Sequence, residues 1–297
     1  MFRLFESSLG NFDLIRFSGR LHRKSDNGDM FSISTILTES LTGHPGFVVP
    51  ERPTLISYRS SQRSSRYFQA HHRTIISEGL SWSNSLAIHS FLTDYTDRND
   101  TPENVREGDN RYDDMSFALR SEFLLTQMSK VIIIAGFEGS YDLTDVTVMN
   151  PIYGSPTQQT TSPFVQTRTL LNKEWSLVSG LRYDYRRIDP DNDYVYRSFQ
   201  AVSPKLSLSY REPATRLFHI SVNKGFRAPS ISELYLLHAS SYGLFLQGTP
   251  TLNPETVWAL ETGYKREYSP ELNWKIQFFH NRYRDMIDFV YAVPVKA

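Results

Sequence analysis

Apolar and polar residues alternate along most of this chain. After Lys173-Glu174, Trp175, Leu177, Leu181, Tyr183 and Tyr185 fall on one side, and Ser176, Gly180, Arg182, Asp184 and Arg186 on the other. A period of two sends successive side chains to opposite faces of a strand, so this segment has one apolar and one polar face. The same pattern runs through Met115, Phe117, Leu119, Phe123 and Leu125 against Asp114, Ser116, Arg120 and Glu122. It returns in Val202, Leu206, Leu208 and Tyr210 against Ser203, Lys205, Ser207 and Ser209. Phe218, Ile220 and Val222 alternate with His219, Ser221 and Asn223, and Trp258, Leu260 and Tyr264 with Glu261 and Lys265. Helical spacing at three and four fits none of these windows. The pattern predicts about twelve strands, near 11–22, 29–40, 64–77, 79–95, 113–126, 129–142, 163–171, 174–187, 199–211, 216–225, 255–268 and 273–291.

The connections differ systematically. Short turns such as Ser25-Asp26-Asn27-Gly28, Met128-Ser129, Asn172-Lys173, Glu212-Pro213-Ala214 and Ser269-Pro270-Glu271 alternate with long polar segments near 41–63, 96–112, 143–162, 188–198 and 226–254. Short connections on one rim and long ones on the other describe an all-β, antiparallel, up-and-down sheet whose two ends meet different environments, as in a transmembrane β-barrel. Soluble sandwiches, propellers and lipocalins also alternate. Strand length favours the membrane, because several windows alternate for twelve or more residues where a soluble sheet holds about 5–6. Trp82, Tyr95, Tyr112, Tyr141, Trp175, Tyr185, Tyr210, Trp258, Tyr264 and Trp274 lie near strand ends, where barrels carry aromatic girdles.

Composition narrows the classes. Thirty-two basic residues balance 32 acidic ones, which gives a nucleic-acid partner no basic stripe to use. The absence of cysteine removes disulfides, thiol nucleophiles and iron–sulfur ligation. The longest apolar run, Val131 to Phe137, is far short of the roughly 20 residues of a membrane helix. A spanning strand needs only every second residue apolar, so a mean hydropathy of −0.41 is compatible with a wall greasy outside and wet inside. The 13% aromatic share agrees with that wall.

Catalytic and metal motifs are missing: there is no G-x-S-x-G, G-x-G-x-x-G, P-loop or H-E-x-x-H pattern. His71 and His72 are strand neighbours and point to opposite faces, so they do not share an ion. Asp189-Pro190-Asp191-Asn192-Asp193 opens like a calcium loop, but Tyr194 replaces the turn glycine and Gln200 the bidentate glutamate. No metal or cofactor is expected. Arg120, Glu122, Arg182, Asp184 and Arg186 read as a wet lumen lined with compensating charges.

The segment Gly225-Phe226-Arg227-Ala228-Pro229-Ser230-Ile231-Ser232-Glu233-Leu234-Tyr235 resembles the place in TonB-dependent outer-membrane receptors where a strand rises into a long extracellular loop. Gly248-Thr249-Pro250-Thr251-Leu252-Asn253-Pro254-Glu255 is similar to that family's Gly-Asn-Pro-x-Leu-x-Pro-Glu, with Thr249 in place of Asn. Glu261-Thr262-Gly263-Tyr264 and Asp285-Met286-Ile287 follow in the family's order, and Gly180-Leu181-Arg182-Tyr183-Asp184 and Ser203-Pro204-Lys205 precede them. Structural jobs suit these residues: Gly225 permits a bend, Pro229 ends ladder pairing, Pro250 and Pro254 stiffen the return, and Glu255 pairs at the rim.

The resemblance implies a barrel of about 22 strands around an N-terminal plug, in the outer membrane of a Gram-negative cell. Such a receptor moves a ferric siderophore, haem, cobalamin or glycan fragment with energy from the TonB–ExbB–ExbD complex. The sequence shows neither plug nor TonB box, so the expectation is a partial receptor barrel over 1–297 with the plug absent. Expected ligand contacts are Tyr235, His238, Tyr242, Phe245 and Gln247 in the 226–254 loop, with Arg106 and Tyr194 nearby. Aromatic and basic groups there would stack on or pair with an anionic chelate. The alternatives are a passive porin, a soluble β-sheet binding module, and a barrel enzyme, the last requiring Asp, His or Ser to converge at the mouth.

Overall fold

The computed structural model describes residues 12–45, 57–99, 110–147, 155–191, 195–212, 216–239, 245–269 and 271–288. Its strands are β1 (Phe12–Lys24), β2 (Met30–Pro45), β3 (Ser57–Ser77), β4 (Leu80–Asn99), β5 (Asn110–Met128), β6 (Val131–Thr147) and β7 (Thr157–Leu170). They continue as β8 (Trp175–Asp189), β9 (Arg197–Glu212), β10 (Arg216–Arg227), β11 (Leu237–Ala239), β12 (Phe245–Gln247), β13 (Glu255–Ser269) and β14 (Leu272–Arg284), with one helical turn, α1 (Ile231–Tyr235), after β10.

Among the described residues, twelve strands form one antiparallel sheet in chain order, β1 through β10 followed by β13 and β14; β11 and β12 make a separate hairpin. All twelve predicted strands are present. Most reach further than alternation indicated, β3 beginning at Ser57 and β4 running to Asn99. The sequence of these ends, as in Ser60-Ser61-Gln62-Arg63, has no apolar alternation, and the ladder continues on backbone hydrogen bonds without a period-two signal. β14 ends earlier than predicted, at Arg284, because Asp285 turns left-handed at φ 54°. Positions 289–291 of that predicted strand lie outside the described residues.

Register aligns the two faces across the sheet. Leu177, Leu208, Ile220, Thr262 and Phe278 stand side by side over β8, β9, β10, β13 and β14, and Trp175, Tyr210, Phe218, Tyr264 and Ile276 form the next row. These apolar rows are not buried within the chain: Phe278 is 56% exposed and Ile276 63%. An apolar surface this extensive calls for an apolar medium around it, which lipid supplies. No helix among the described residues is long and apolar enough to cross a membrane.

The inner face is ionic. Arg120 on β5 binds Glu122 at 2.8 Å and Glu138 on β6 at 2.6 Å; Glu138 also accepts from Arg182 on β8 at 2.5 Å, and Arg182 binds Asp184 at 2.8 Å. The fully buried Ser162 on β7 donates to Asp184 at 2.8 Å. Four of the five predicted lumen charges thus compensate one another, through a carboxylate, Glu138, that the sequence reading did not single out. The fifth, Arg186, joins no ion pair among the described residues. Arg120, Glu138, Phe164, Arg182, Lys205 and Asn223 line a recess of about 570 Å³ on this wall.

Three of the short turns are tied to the neighbouring hairpin. Asp29 accepts from the Ile75 amide at 2.9 Å and the Thr74 hydroxyl at 2.8 Å, the Gly79 carbonyl accepts from Thr126 N, and the Lys130 carbonyl from Leu170 N. Stacked or tilted ring pairs sit just inside this rim: Trp82 with Phe123, Trp175 with Tyr210, and Tyr264 with Trp274 at 5.1 Å.

Candidate functional site

The chain between β10 and β13 folds inward at the long-loop rim. Ladder pairing ends at Arg227 opposite Glu255, just before Pro229, which has no N–H to continue it. Ser230 then caps α1: its hydroxyl accepts from the Glu233 amide and the Glu233 carboxylate accepts from the Ser230 amide, a capping box. That Ser-x-x-Glu spacing was visible in the sequence and is the signal by which the turn could have been predicted.

The turn buries its apolar side against the inner wall. Leu234 and Tyr235 pack with Ala228 on Val146 at the end of β6, Ile188 at the end of β8 and Phe199 at the start of β9, while Phe226, Ile231, Leu236 and Leu252 close the cluster. Val146 shares its face with Glu138 and Asp142, and Ile188 with Arg182 and Asp184, so the inner face is apolar at the rim and ionic below it. Ile188 and Leu234 are 0% exposed.

The returning chain lies on this turn. Gly248 donates to the Leu236 carbonyl at 2.6 Å and Thr249 to the Glu233 carbonyl at 2.8 Å. A side chain at Gly248 would place its Cβ 2.7 Å from Leu234 C and Tyr235 N, atoms that cannot move aside. Gly248→Ala should therefore push the return off α1 at a cost of about 1–3 kcal/mol, read as faster protease cleavage within 228–254 on a barrel that still folds. Gly225 has a different role from the predicted bend. It remains paired with Val257, and its glycine is required by a close approach, since a Cβ would lie 2.9 Å from Val257 Cγ1.

Arg227 gathers the family-like motifs into one network. Its Nη1 and Nη2 hold both Glu233 oxygens at 2.9 and 3.0 Å, its Nε holds Glu255 at 2.5 Å, and Glu255 accepts from the Ile287 amide at 2.7 Å. Glu255 thus pairs at the rim as expected, and the Asp285-Met286-Ile287 segment ends β14 beside it. Burial pushes the Glu233 carboxyl up, but the hydrogen bonds from Arg227 and Ser230 outweigh it and hold the group below the usual glutamate range. Because the folded value is the lower one, this stabilisation is complete above the unfolded glutamate pKa and disappears as pH falls through the folded value. Protection of the α1 amides from hydrogen exchange should accordingly persist at pH 5 and fall off below about pH 4.

The predicted ligand contacts separate. Tyr235 is buried and its hydroxyl donates to the Val195 carbonyl at 3.1 Å, so in this conformation it is a packing residue. Gln247 ends β12 opposite Leu237 and is exposed. His238 and Phe245 occupy backbone positions opposite Leu246 and Ala239, but their side chains lie outside the described residues. Tyr242, Arg106 and Tyr194 also lie outside them. Sequence reasoning missed Arg197, which donates to the Leu252 carbonyl at 3.1 Å and rests over the Phe199 ring. No short-range pattern marks a bond between residues 55 positions apart.

Residues 8–296 match the family model "TonB dependent receptor-like, beta-barrel". The chain belongs to that family. TonB-dependent receptor structures share its fold at low identity. HasR of Serratia marcescens, solved with its hemophore HasA and heme, superposes with a TM-score of 0.72 at 13% identity, over 90% of this chain and 45% of its own. The copper transporter OprC gives 0.71 at 11%, over 93% and 45%, and the siderophore receptor PirA from Acinetobacter baumannii 0.68 at 13%, over 94% and 44%. The chain therefore spans less than half the length of these structures. No curated protein matches its sequence. In a TonB-dependent receptor barrel the long-loop rim is extracellular, which makes the segment after β10 part of the outer mouth.

Proposed function

We propose that this barrel wall belongs to a receptor that takes up a scarce nutrient across the outer membrane of a Gram-negative cell. The nutrient classes are a ferric siderophore, haem, cobalamin or a glycan fragment; uptake is energised through TonB–ExbB–ExbD, and extracellular loops supply the specificity. Strands beyond these twelve bring the barrel to about 22, with a plug inside it. The observation that carries this reading is the inward-folded segment between β10 and β13. It packs on the inner ends of β6, β8 and β9 above the ion-pair belt, which supports a mouth shaped for a selected cargo.

HasR, OprC and PirA, described respectively with heme, as a copper transporter and as a siderophore receptor, support small metal-bearing cargo without choosing among its kinds. Tyr242, His238, Phe245, Gln247, Arg106 and Tyr194 remain the proposed contacts, and Tyr235 joins them only if the turn carrying it moves.

The barrel-enzyme reading needs Asp, His or Ser to converge at the mouth; what favours the receptor is that the cluster beneath α1 is apolar, with Arg227 and two glutamates beside it. The test is saturable binding to cells expressing the whole gene product, with ferric catecholate and hydroxamate chelates, haem, cyanocobalamin and maltooligosaccharides as probes. One probe should bind saturably. Uniform, unsaturable entry of all of them would establish the porin instead.

A further inference from the structure

Arg227 is the charged group that fastens α1 to the ladder. Apolar packing and a few backbone bonds hold α1 and the return 245–252 down, Arg197 on β9 donates to the Leu252 carbonyl and the Tyr235 hydroxyl to the Val195 carbonyl, while Arg227 grips Glu233 on α1 and Glu255 at the head of β13. Glu255 extends the link to β14 through the Ile287 amide. The guanidinium of β10 thus meets α1 and the head of β13, and the segment after β14 joins through Glu255.

We propose that Arg227 is a latch, and that α1 with its return strand is a strap that opens from the inner wall when the latch is released. This rests on the receptor reading above and adds to it a moving part at the mouth.

Three features support a latch over a fixed brace. First, the Arg227 side chain is 45% exposed, so water, salt or an anionic solute entering the mouth can compete for it. A permanent brace would be expected deeper. Secondly, the pairing with Glu233 is bidentate, a geometry that gives a strong and directional closed state but is lost all at once when the guanidinium turns away. Thirdly, what lies beneath the strap is continuous with the lumen: Val146, Ile188 and Phe199 share the inner faces of β6, β8 and β9 with the ion-pair belt. Lifting α1 uncovers an apolar shelf directly above a charged wall and frees Tyr235 from Val195. A ladder that ends cleanly at Arg227 and Glu255 stays intact meanwhile, because the pairs below them do not involve the strap.

These 297 residues contain no cysteine, so a thiol introduced among them is unique within them, and any cysteine elsewhere in the gene product is first replaced by serine. In the full-length gene product on intact cells, a Leu234→Cys variant is exposed to a membrane-impermeant maleimide, with Gln247→Cys as the exposed reference. Arg227→Ala should raise Leu234→Cys labelling roughly tenfold, with Gln247→Cys unchanged, and Arg227→Lys, which keeps the charge but not the fork, should fall between. High salt should raise labelling in the Arg227 background only. Ala228→Cys, a near-isosteric reporter beside the latch, guards against the possibility that Leu234→Cys itself loosens the strap. Labelling that is equally slow with and without Arg227, in both reporters, overturns the latch, and so does labelling that is already fast with Arg227 in place. Neither result touches the receptor reading, which fails instead if no folded barrel reaches the outer membrane.

Discussion

An Ile220→Arg substitution is expected to cost the folded barrel about 2–4 kcal/mol, and Ser221→Arg next to it almost nothing. The two positions differ by one residue and by everything around them. Ile220 is an exposed member of the apolar row between Leu208 and Thr262, where no partner exists for a guanidinium and lipid cannot hydrate it. Ser221 faces the lumen opposite Glu261, where a new cation meets water and a carboxylate. The check is the folded fraction recovered in lipid vesicles over a denaturant series. Equal costs for the two variants would mean that the faces have been assigned wrongly. In a soluble sheet the exposed Ile220 would tolerate arginine, so the pair also separates the membrane reading from a soluble binding module.

The second large effect is local. Leu234→Ala should destabilise the inward-folded turn by about 2–5 kcal/mol, because Leu234 is completely buried between the turn and the ends of β6, β8 and β9. The loss falls on a unit that can open without unfolding the sheet. Hydrogen exchange at the Gly248 amide, which donates to Leu236, should accelerate by roughly 30-fold or more, the equivalent of at least 2 kcal/mol. Amides in β8 and β9 should be unchanged. Acceleration across the whole sheet would mean that the cluster is part of the barrel core and that no separable strap exists.

How much of this was legible depends on the range of the signal. The twelve strands were readable because lipid on one side and water on the other impose a strict period of two, as at Trp175 to Tyr185. Their outer ends were not, because stretches such as Ser60-Ser61-Gln62-Arg63 carry no apolar alternation and only the backbone ladder marks them as strand. The motif residues Gly225 to Glu233 and Leu252 to Glu255 identified the family while concealing their role. Arg227 and Glu255 are separated by 28 residues, Glu255 and Ile287 by 32, and only the sheet register brings them together. Glu138 was overlooked for the same reason: its value lies in standing between Arg120 and Arg182 on neighbouring strands. Tyr235 shows the converse limit: the sequence offers a loop aromatic as a ligand contact, and only the fold shows that the turn capped by Ser230 packs it against the wall.

The central claim is active uptake through this barrel, and its most direct measurement is accumulation of the bound nutrient by cells expressing the whole gene product, with and without a functional TonB. Saturable accumulation that is lost when TonB is deleted, while surface binding persists, is the predicted result. Accumulation that proceeds equally in both strains and scales linearly with external concentration would contradict it.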